Sequence, residues 1–276
     1  MSRITLLRAW NLLQVQMSYY LTVLFRRPVV WGKPYSVSIE PTTSCNLRCP
    51  ECPSGIRQFS RNTGMLSFDL YKKIVDEIGN RLMYMILYFQ GEPYLNPSFF
   101  RIVEDARKRR IYTATSTNAH FLTEENARKT VESGLDRIIV SLDGIGQETY
   151  ASYRVGGRYK RVIDGIETLV KWKKELKSGT PHIILQFIVF RTNEHQIEEV
   201  KALSEKLGVD ELQLKSAQVY DYKNGHPLIP TISKYSRYRQ KADGTWEIRN
   251  DFPDKCYRMS VSCVITWDGL CLLYTS

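Results

Sequence analysis

From residue 35 onward, short runs rich in β-branched and aromatic residues alternate with longer stretches whose apolar residues recur at helical spacing. Residues 35–40 form the first predicted strand. Ser67 is placed to cap a helix in which Leu70, Ile74 and Ile78 recur every fourth residue. Residues 84–90 read as the second strand, 97–110 as a basic helix and 111–116 as the third strand. A helix capped by Thr123 and stopped at Gly134 follows, then a fourth strand over 137–142. Ile163, Ile166 and Leu169 mark one side of a long helix, and 182–190 the fifth strand. Asn193 with Gln196 resembles a capping box for a helix whose apolar side includes Ile197, Val200, Leu203 and Leu207. Residues 210–215 make the sixth strand.

Strands that alternate regularly with helices imply parallel pairing through right-handed crossovers. Six such units predict an α/β fold, an open partial (β/α)6 barrel over residues 35–216. Beyond residue 216 the periodicity fails. Gly, Pro, Tyr and charge dominate through Asp254, which predicts loops leading to a small appendage over 217–276. A chain of 276 residues, 43% hydrophobic and 25% charged, can bury a full core.

Half of the net charge of +10 lies in residues 1–34, which carry Arg3, Arg8, Arg26, Arg27, Lys33 and no acidic residue. Within this stretch, residues 4–13 read as an amphipathic helix, so it forms a basic helical arm. The apolar run before Arg26 is too short to span a bilayer, and no small-residue cleavage site follows it. Such an arm either lies on an anionic membrane surface or packs its apolar side on the following domain; packing is the favoured expectation. Six cysteines without a signal peptide suit a reducing cytoplasm, where thiolates stay available to metal. The run from Arg107 to Arg110 reads as a solvated helix face, which argues against a nucleic-acid partner.

In parallel βα folds, active sites form at the carboxyl ends of the strands. The unusual polar groups of this chain fall there repeatedly. Gln90, Gly91, Glu92 and Pro93 follow the second strand, and Thr117 and Asn118 the third. Ser141 and Asp143 follow the fourth, Arg191 the fifth, and Lys215 and Ser216 close the sixth. Together they describe one rim.

After the first strand come Cys45, Cys49 and Cys52, spaced C-x3-C-x2-C. A disulfide framework suits smaller secreted chains, and structural zinc usually shows paired C-x2-C units with a second pair or histidines. His120, His182, His195 and His226 are scattered, so neither alternative fits well. Three thiolates can hold three irons of a [4Fe–4S] cluster and leave the fourth iron open to a substrate or cofactor.

These ordered motifs resemble those of the radical S-adenosylmethionine (SAM) enzymes, over about residues 35–216. The resemblance implies a [4Fe–4S] cluster on Cys45, Cys49 and Cys52, and SAM as the second cofactor. Gly91, Glu92 and Pro93 match the element that holds the SAM amino group. Ser141 and Asp143 resemble the element that contacts the ribose or methionine portion, and Asn118 matches a Thr-Asn element. Arg154 is placed like the arginine that pairs with the SAM carboxylate in the subgroup with a C-terminal SPASM or twitch extension. Arg191 is counted with these cofactor contacts.

The implied activity is reductive cleavage of SAM and hydrogen abstraction from a substrate, with a single-electron donor such as a flavodoxin or ferredoxin. Cys256 and the run from Cys263 to Gly269 resemble the start of a SPASM region. The family expects a cysteine farther beyond that glycine and several more after it, whereas here Cys271 follows within two residues. The expectation is a SPASM-like extension truncated or frame-shifted, with Cys256, Cys263 and Cys271 holding no auxiliary cluster or a partial one. The tail's resemblance points to a peptide or protein substrate. The rivals are a small molecule or cofactor precursor, as in molybdenum-cofactor synthesis, and a non-catalytic iron–sulfur scaffold that binds SAM.

Overall fold

The computed structural model describes residues 3–250 and 256–272. Strands β1 (Ser36–Ile39), β2 (Tyr84–Ile86), β3 (Tyr112–Thr117), β4 (Arg137–Ser141), β5 (His182–Val189) and β6 (Glu211–Ser216) lie side by side in chain order. All five pairings between them are parallel. Helices α3 (Phe68–Ile78), α4 (Phe99–Lys108), α5 (Glu124–Glu132), α7 (Tyr159–Glu175) and α8 (Ile197–Leu207) carry the successive crossovers. Two short helices, α2 (Pro53–Ile56) and α6 (Gln147–Tyr153), precede α3 and α7. The expected caps form: Ser67 Oγ accepts from the Leu70 N–H at 3.1 Å and Thr123 Oγ1 from the Asn126 N–H at 3.3 Å.

Side chains alternate across each strand and so divide between two faces. Val37, Met85, Ile138, Val140, Leu185 and Phe187 are fully buried in the main core, against which Ile74, Phe100 and Ile163 of the helices pack. Each such side chain contributes about 1.5–3 kcal/mol by leaving water. The opposite face of the strands lines a cavity of about 970 Å³ whose walls include Ser38, Tyr84, Tyr112, Arg137, Gln213 and Lys215. Register sets Ser36, Tyr84 and Tyr112 in one row across three strands, and the two tyrosine rings stack at 5.1 Å.

Several expectations are corrected. β2 stops at Ile86, because the chain then bends over the cavity, with Ser38 Oγ donating to the Tyr88 carbonyl at 2.8 Å. Asn193 and Gln196 form no capping box. Asn193 Oδ1 accepts from the Phe190 N–H, while Gln196 exchanges hydrogen bonds with both backbone groups of Ile145. A preceding backbone N–H for Asn193 and a distant one for Gln196 outcompete the local cap.

The segment beyond residue 216 does contain a small hairpin, β7 (Tyr238–Gln240) with β8 (Trp246–Ile248). After helix α9 (Tyr257–Val261), however, β9 (Ser262–Ile265) joins the main sheet parallel to β1, pairing Val37 with Cys263. β10 (Cys271–Leu272) continues that edge, so the sheet has eight strands rather than six. Residues 273–276 of the expected appendage lie outside the described residues.

The arm is helical, α1 (Leu6–Phe25), but it packs with the side opposite to the one expected. Its buried residues are Arg8, Asn11, Val15 and Ser18, while Leu6, Leu7, Trp10, Leu13 and Leu24 face outward. The reason is the chemistry of the surface it meets. The Arg8 guanidinium donates to the carbonyls of Arg109 at 2.7 Å, Arg110 at 2.8 Å and Gly79 at 3.3 Å. Gly79 and Arg109 cap the C-termini of α3 and α4, where carbonyls lack helical partners and the helix dipole is negative. Asn11 clasps both backbone groups of Lys33, and Arg3 reaches Asp136 with two hydrogen bonds, one of 2.8 Å. No helix among the described residues is long and apolar enough to cross a membrane.

Candidate active site

The loop after β1 is held open by backbone contacts at both ends. The Thr43 N–H donates to the Gly64 carbonyl at 3.0 Å and the Arg48 N–H to that of Val155 at 2.9 Å. Cys52 and Pro53 then start α2. This geometry turns Cys45, Cys49 and Cys52 toward one cavity of about 160 Å³, which Gly91, Glu92, Asn118, Ser141 and Arg154 also line. Motifs from the ends of four strands and from the end of α6 thus meet at one place.

Glycine is required at position 91. Its φ is +71°, and an added Cβ would stand 2.3 Å from the Thr42 carbonyl oxygen and 2.7 Å from that of Ser44. The close approach lets the Glu92 N–H donate to the Ser44 carbonyl at 2.8 Å, tying the loop after β2 to the cysteine loop. Glu92 itself is 2% exposed. Its carboxylate accepts from Thr117 Oγ1 at 2.7 Å and from the Asn118 N–H at 2.8 Å. Burial raises its pKa to about 7, against the opposing pull of those hydrogen bonds and of Arg154. A carboxylate in such a place calls for a cationic partner.

Across the cavity, the Arg154 guanidinium is gripped by Asp143, with Nε–Oδ2 at 2.6 Å and Nη2–Oδ2 at 2.5 Å. Burial works against the charged guanidinium, but the Asp143 carboxylate and Cys49 more than offset it and its pKa rises. The remaining nitrogen, Nη1, lies 3.9 Å from Cys49 Sγ. Cys45 Sγ accepts from the Leu47 N–H at 3.4 Å and faces Asn118 Nδ2 at 3.8 Å. Burial pushes the Cys45 thiol up to about 11 and raises that of Cys49 as well. Thiolates at this spot therefore need a cation, and a bound metal deprotonates such thiols outright.

Among the described residues, no three His, Cys, Asp or Glu side chains converge closely enough to hold a single metal ion. The three thiols line one cavity together and leave a cluster's fourth iron without a cysteine, the donor set of an open [4Fe–4S] site. Beside them stand one carboxylate and one guanidinium, the complement of an α-amino acid's ammonium and carboxylate. The donor set fits an iron–sulfur cluster with SAM.

Not every expected residue reaches the cavity. Asp143 lies behind its wall, with Oδ2 committed to Arg154 and Oδ1 to the Ile188 N–H at 2.8 Å, so it positions Arg154. Pro93 is buried at the start of a 3₁₀ turn and shapes the loop. Arg191 is drawn away, because a tight turn closes straight after β5 and its Nε donates to the Ile229 carbonyl at 3.0 Å. Cys263 is buried in the main core and in side-chain contact with Cys271, which is exposed on the neighbouring β10, while Cys256 is exposed before α9 and is not part of that pair.

The lining residues that escaped sequence reasoning include two hydroxyls, Ser54 and Ser116. Ser54 Oγ accepts from the Gly91 N–H at 2.8 Å and donates to Gln90 Oε1 at 2.9 Å. Its position two residues past Cys52 was the one available signal. His120 supports the site from behind: Nε2 accepts from the Arg158 N–H at 2.8 Å, so Nδ1 carries the proton toward the Asn118 carbonyl. Tyr88 and Phe89 border both this cavity and the larger one inside the barrel.

The chain is 25% identical over 249 residues to a PqqA peptide cyclase of Bradyrhizobium diazoefficiens, a match covering 86% of this chain and 63% of that protein. It is 28% identical over 248 residues to the tungsten-containing aldehyde ferredoxin oxidoreductase cofactor-modifying protein of Pyrococcus furiosus, covering 84% and 68%. In fold it is similar to Streptococcus suis SuiB bound to S-adenosylmethionine, with a TM-score of 0.65, 12% identity, and coverage of 94% of this chain and 64% of that one. The same protein bound to precursor peptide SuiA gives a TM-score of 0.64. The chain therefore spans less than two thirds of the length of the peptide cyclase and of SuiB. The Radical SAM superfamily model matches residues 39–203, more than half of the chain. Members of that family use a [4Fe–4S] cluster and SAM, the pair that the donor set at the strand ends fits, and this chain belongs to the radical SAM superfamily.

Proposed function

We propose that this chain is the catalytic part of a radical SAM enzyme that abstracts hydrogen from a peptide held in the barrel. The observation that carries the reading is the convergence of three thiols, a buried carboxylate and a buried guanidinium on one cavity. Cys45, Cys49 and Cys52 would hold the cluster. Glu92 would take the SAM ammonium and Arg154 its carboxylate, with Asn118 and Ser141 on the same wall. When bound, the pair supplies one-electron cleavage of the SAM sulfonium and, from it, abstraction of a hydrogen atom from a substrate carbon.

The protein's own contribution is orientation and exclusion of water. Asp143 fixes Arg154 so that only Nη1 is turned toward the thiols. Tyr88 and Phe89 border both the sulfur-lined cavity and the barrel interior, so a substrate carbon would approach the cofactor past these two rings. The interior is cationic and aromatic: Arg137, Lys215 and Arg258 line it with Tyr35, Tyr84 and Tyr112, and no carboxylate is among its walls as formed by the described residues. That lining favours an acidic segment as the part of the substrate that enters.

Peptide substrates are supported by the likeness to a PqqA peptide cyclase and by the fold shared with SuiB. The likeness to a cofactor-modifying protein supports a small anionic cofactor precursor as the second reading, and the cationic interior suits it too. The test is anaerobic incubation of reconstituted protein with SAM and dithionite. Formation of 5′-deoxyadenosine, with about four irons per chain, is the expected result. A reduced cluster beside intact SAM would reduce the protein to a scaffold.

A further inference from the structure

Because the arm uses its polar side to grip the domain, its apolar side is left facing solvent. Leu6, Trp10, Leu13, Met17, Tyr20 and Leu24 follow one another at helical spacing and are all exposed, Leu6 by 92% and Leu24 by 71%. Trp31, on the segment that returns along the helix, is 57% exposed. This orientation is not free to invert. Arg8 is buried on the carbonyls of two helix ends, Ser18 Oγ accepts from the Trp31 N–H at 3.0 Å, and Thr22 Oγ1 from the Val29 N–H at 2.9 Å.

Charge decides what covers the face. Arg26, Arg27 and Lys33 are exposed beside it, and residues 1–34 contain no acidic side chain. Two copies meeting in parallel through this face would set these cations against each other, and an antiparallel pair would offer them no anionic partner. An anionic surface removes that repulsion, and a bilayer interface accommodates tryptophan and tyrosine next to apolar chains.

We propose that α1 is a membrane-surface helix, whose exposed apolar face, flanked by Arg26, Arg27 and Lys33, seats on a bilayer carrying anionic lipid. Leu12, on the inner side of the same helix, lines the large cavity of the barrel. Docking would therefore bring the end of the barrel away from the cysteines up to the membrane. The proposal does not depend on the chemistry at the cluster.

The test is flotation of the full chain with phosphatidylcholine vesicles, with and without phosphatidylserine, at low and high salt. Binding to the phosphatidylserine vesicles alone, weakened by salt, is expected. Each basic residue near an anionic surface strengthens binding about fivefold, so Arg26→Gln with Arg27→Gln should weaken it about thirtyfold. Trp10→Ser with Leu13→Ser should abolish it, while SAM cleavage and thermal unfolding stay unchanged. Absence of flotation at low salt overturns the proposal, as does equal, salt-independent binding to both vesicles. A concentration-dependent dimer that Trp10→Ser dissolves, without flotation, assigns the face to a second copy and also overturns it.

Discussion

Replacing Asp143 by alanine isolates the part that the tertiary structure plays in building the site. The Asp143 side chain is fully buried and that of Arg154 is 14% exposed. Two short contacts join them, and Asp143 also satisfies the Ile188 N–H at 2.8 Å. Removing the carboxylate strands a buried guanidinium beside Cys49 and leaves one backbone donor unpaired. Breaking a buried pair from one side costs about 3–5 kcal/mol, and a backbone donor left unpaired adds about 1–3 kcal/mol. Against a total stability of roughly 5–15 kcal/mol, that is a large loss. At about 2–4 °C per kcal/mol for a chain of this size, Tm should drop by on the order of 10 °C. Urea unfolding of the anaerobically purified protein reads the same quantity from the midpoint at constant slope. Asp143→Leu combined with Arg154→Met should recover much of the stability while still losing SAM binding. If Asp143→Ala costs less than about 1 kcal/mol, the pair is behaving like a solvent-screened surface bridge and the reasoning is refuted.

Glu92→Gln keeps the shape of the buried side chain but removes its charge, so the iron content should stay the same. SAM affinity should fall by about 10- to 150-fold, the worth of a charge-assisted hydrogen bond; isothermal titration with SAM checks this, and unchanged affinity assigns the ammonium elsewhere. Gly91→Ala forces a Cβ to within 2.3 Å of the Thr42 carbonyl oxygen, so the cysteine loop must shift. Iron incorporation should fall well below that of the parent protein. Asp210 accepts from the Ile183 N–H and from Lys173, and despite its partial burial these hold its pKa below the ordinary carboxylate value. A carboxylate depressed in the folded state stabilises above its unfolded pKa and loses that contribution as pH falls through its folded one. Asp210→Asn should therefore flatten the acid limb of a stability–pH curve measured by urea unfolding and leave the slope near neutrality unaltered.

Much of the site was legible because its parts are local. The spacing of Cys45, Cys49 and Cys52 is a property of one loop, and the alternation of strands with helices places the ends of β1 to β4 on one rim. Asn118 and Ser141 reach the cavity because each lies at the end of a strand whose course was predictable, whereas Glu92 stands beyond a strand that ends early and Arg154 ends α6, a helix the periodicity did not predict. Arg191 obeyed the same rule and failed. The turn after β5 hands its side chain to the Ile229 carbonyl, a partner 38 residues away. Asp143 likewise sits at a strand end, but its two oxygens are claimed by Arg154 and the Ile188 N–H, so it acts one layer behind the wall.

Hydrophobic periodicity, the caps at Ser67 and Thr123, and the cysteine spacing are written in near neighbours, so the sequence by itself determined the βα architecture and the rim that carries the chemistry. Which side of α1 turns inward, the joining of β9 to β1, and the commitment of Asp143 to Arg154 were decided only in the tertiary structure. Amphipathic pattern alone turns the leucines of α1 toward the domain. The carbonyls exposed at the ends of α3 and α4 needed a buried guanidinium more than the core needed another apolar face, and that competition exists only once those ends stand together.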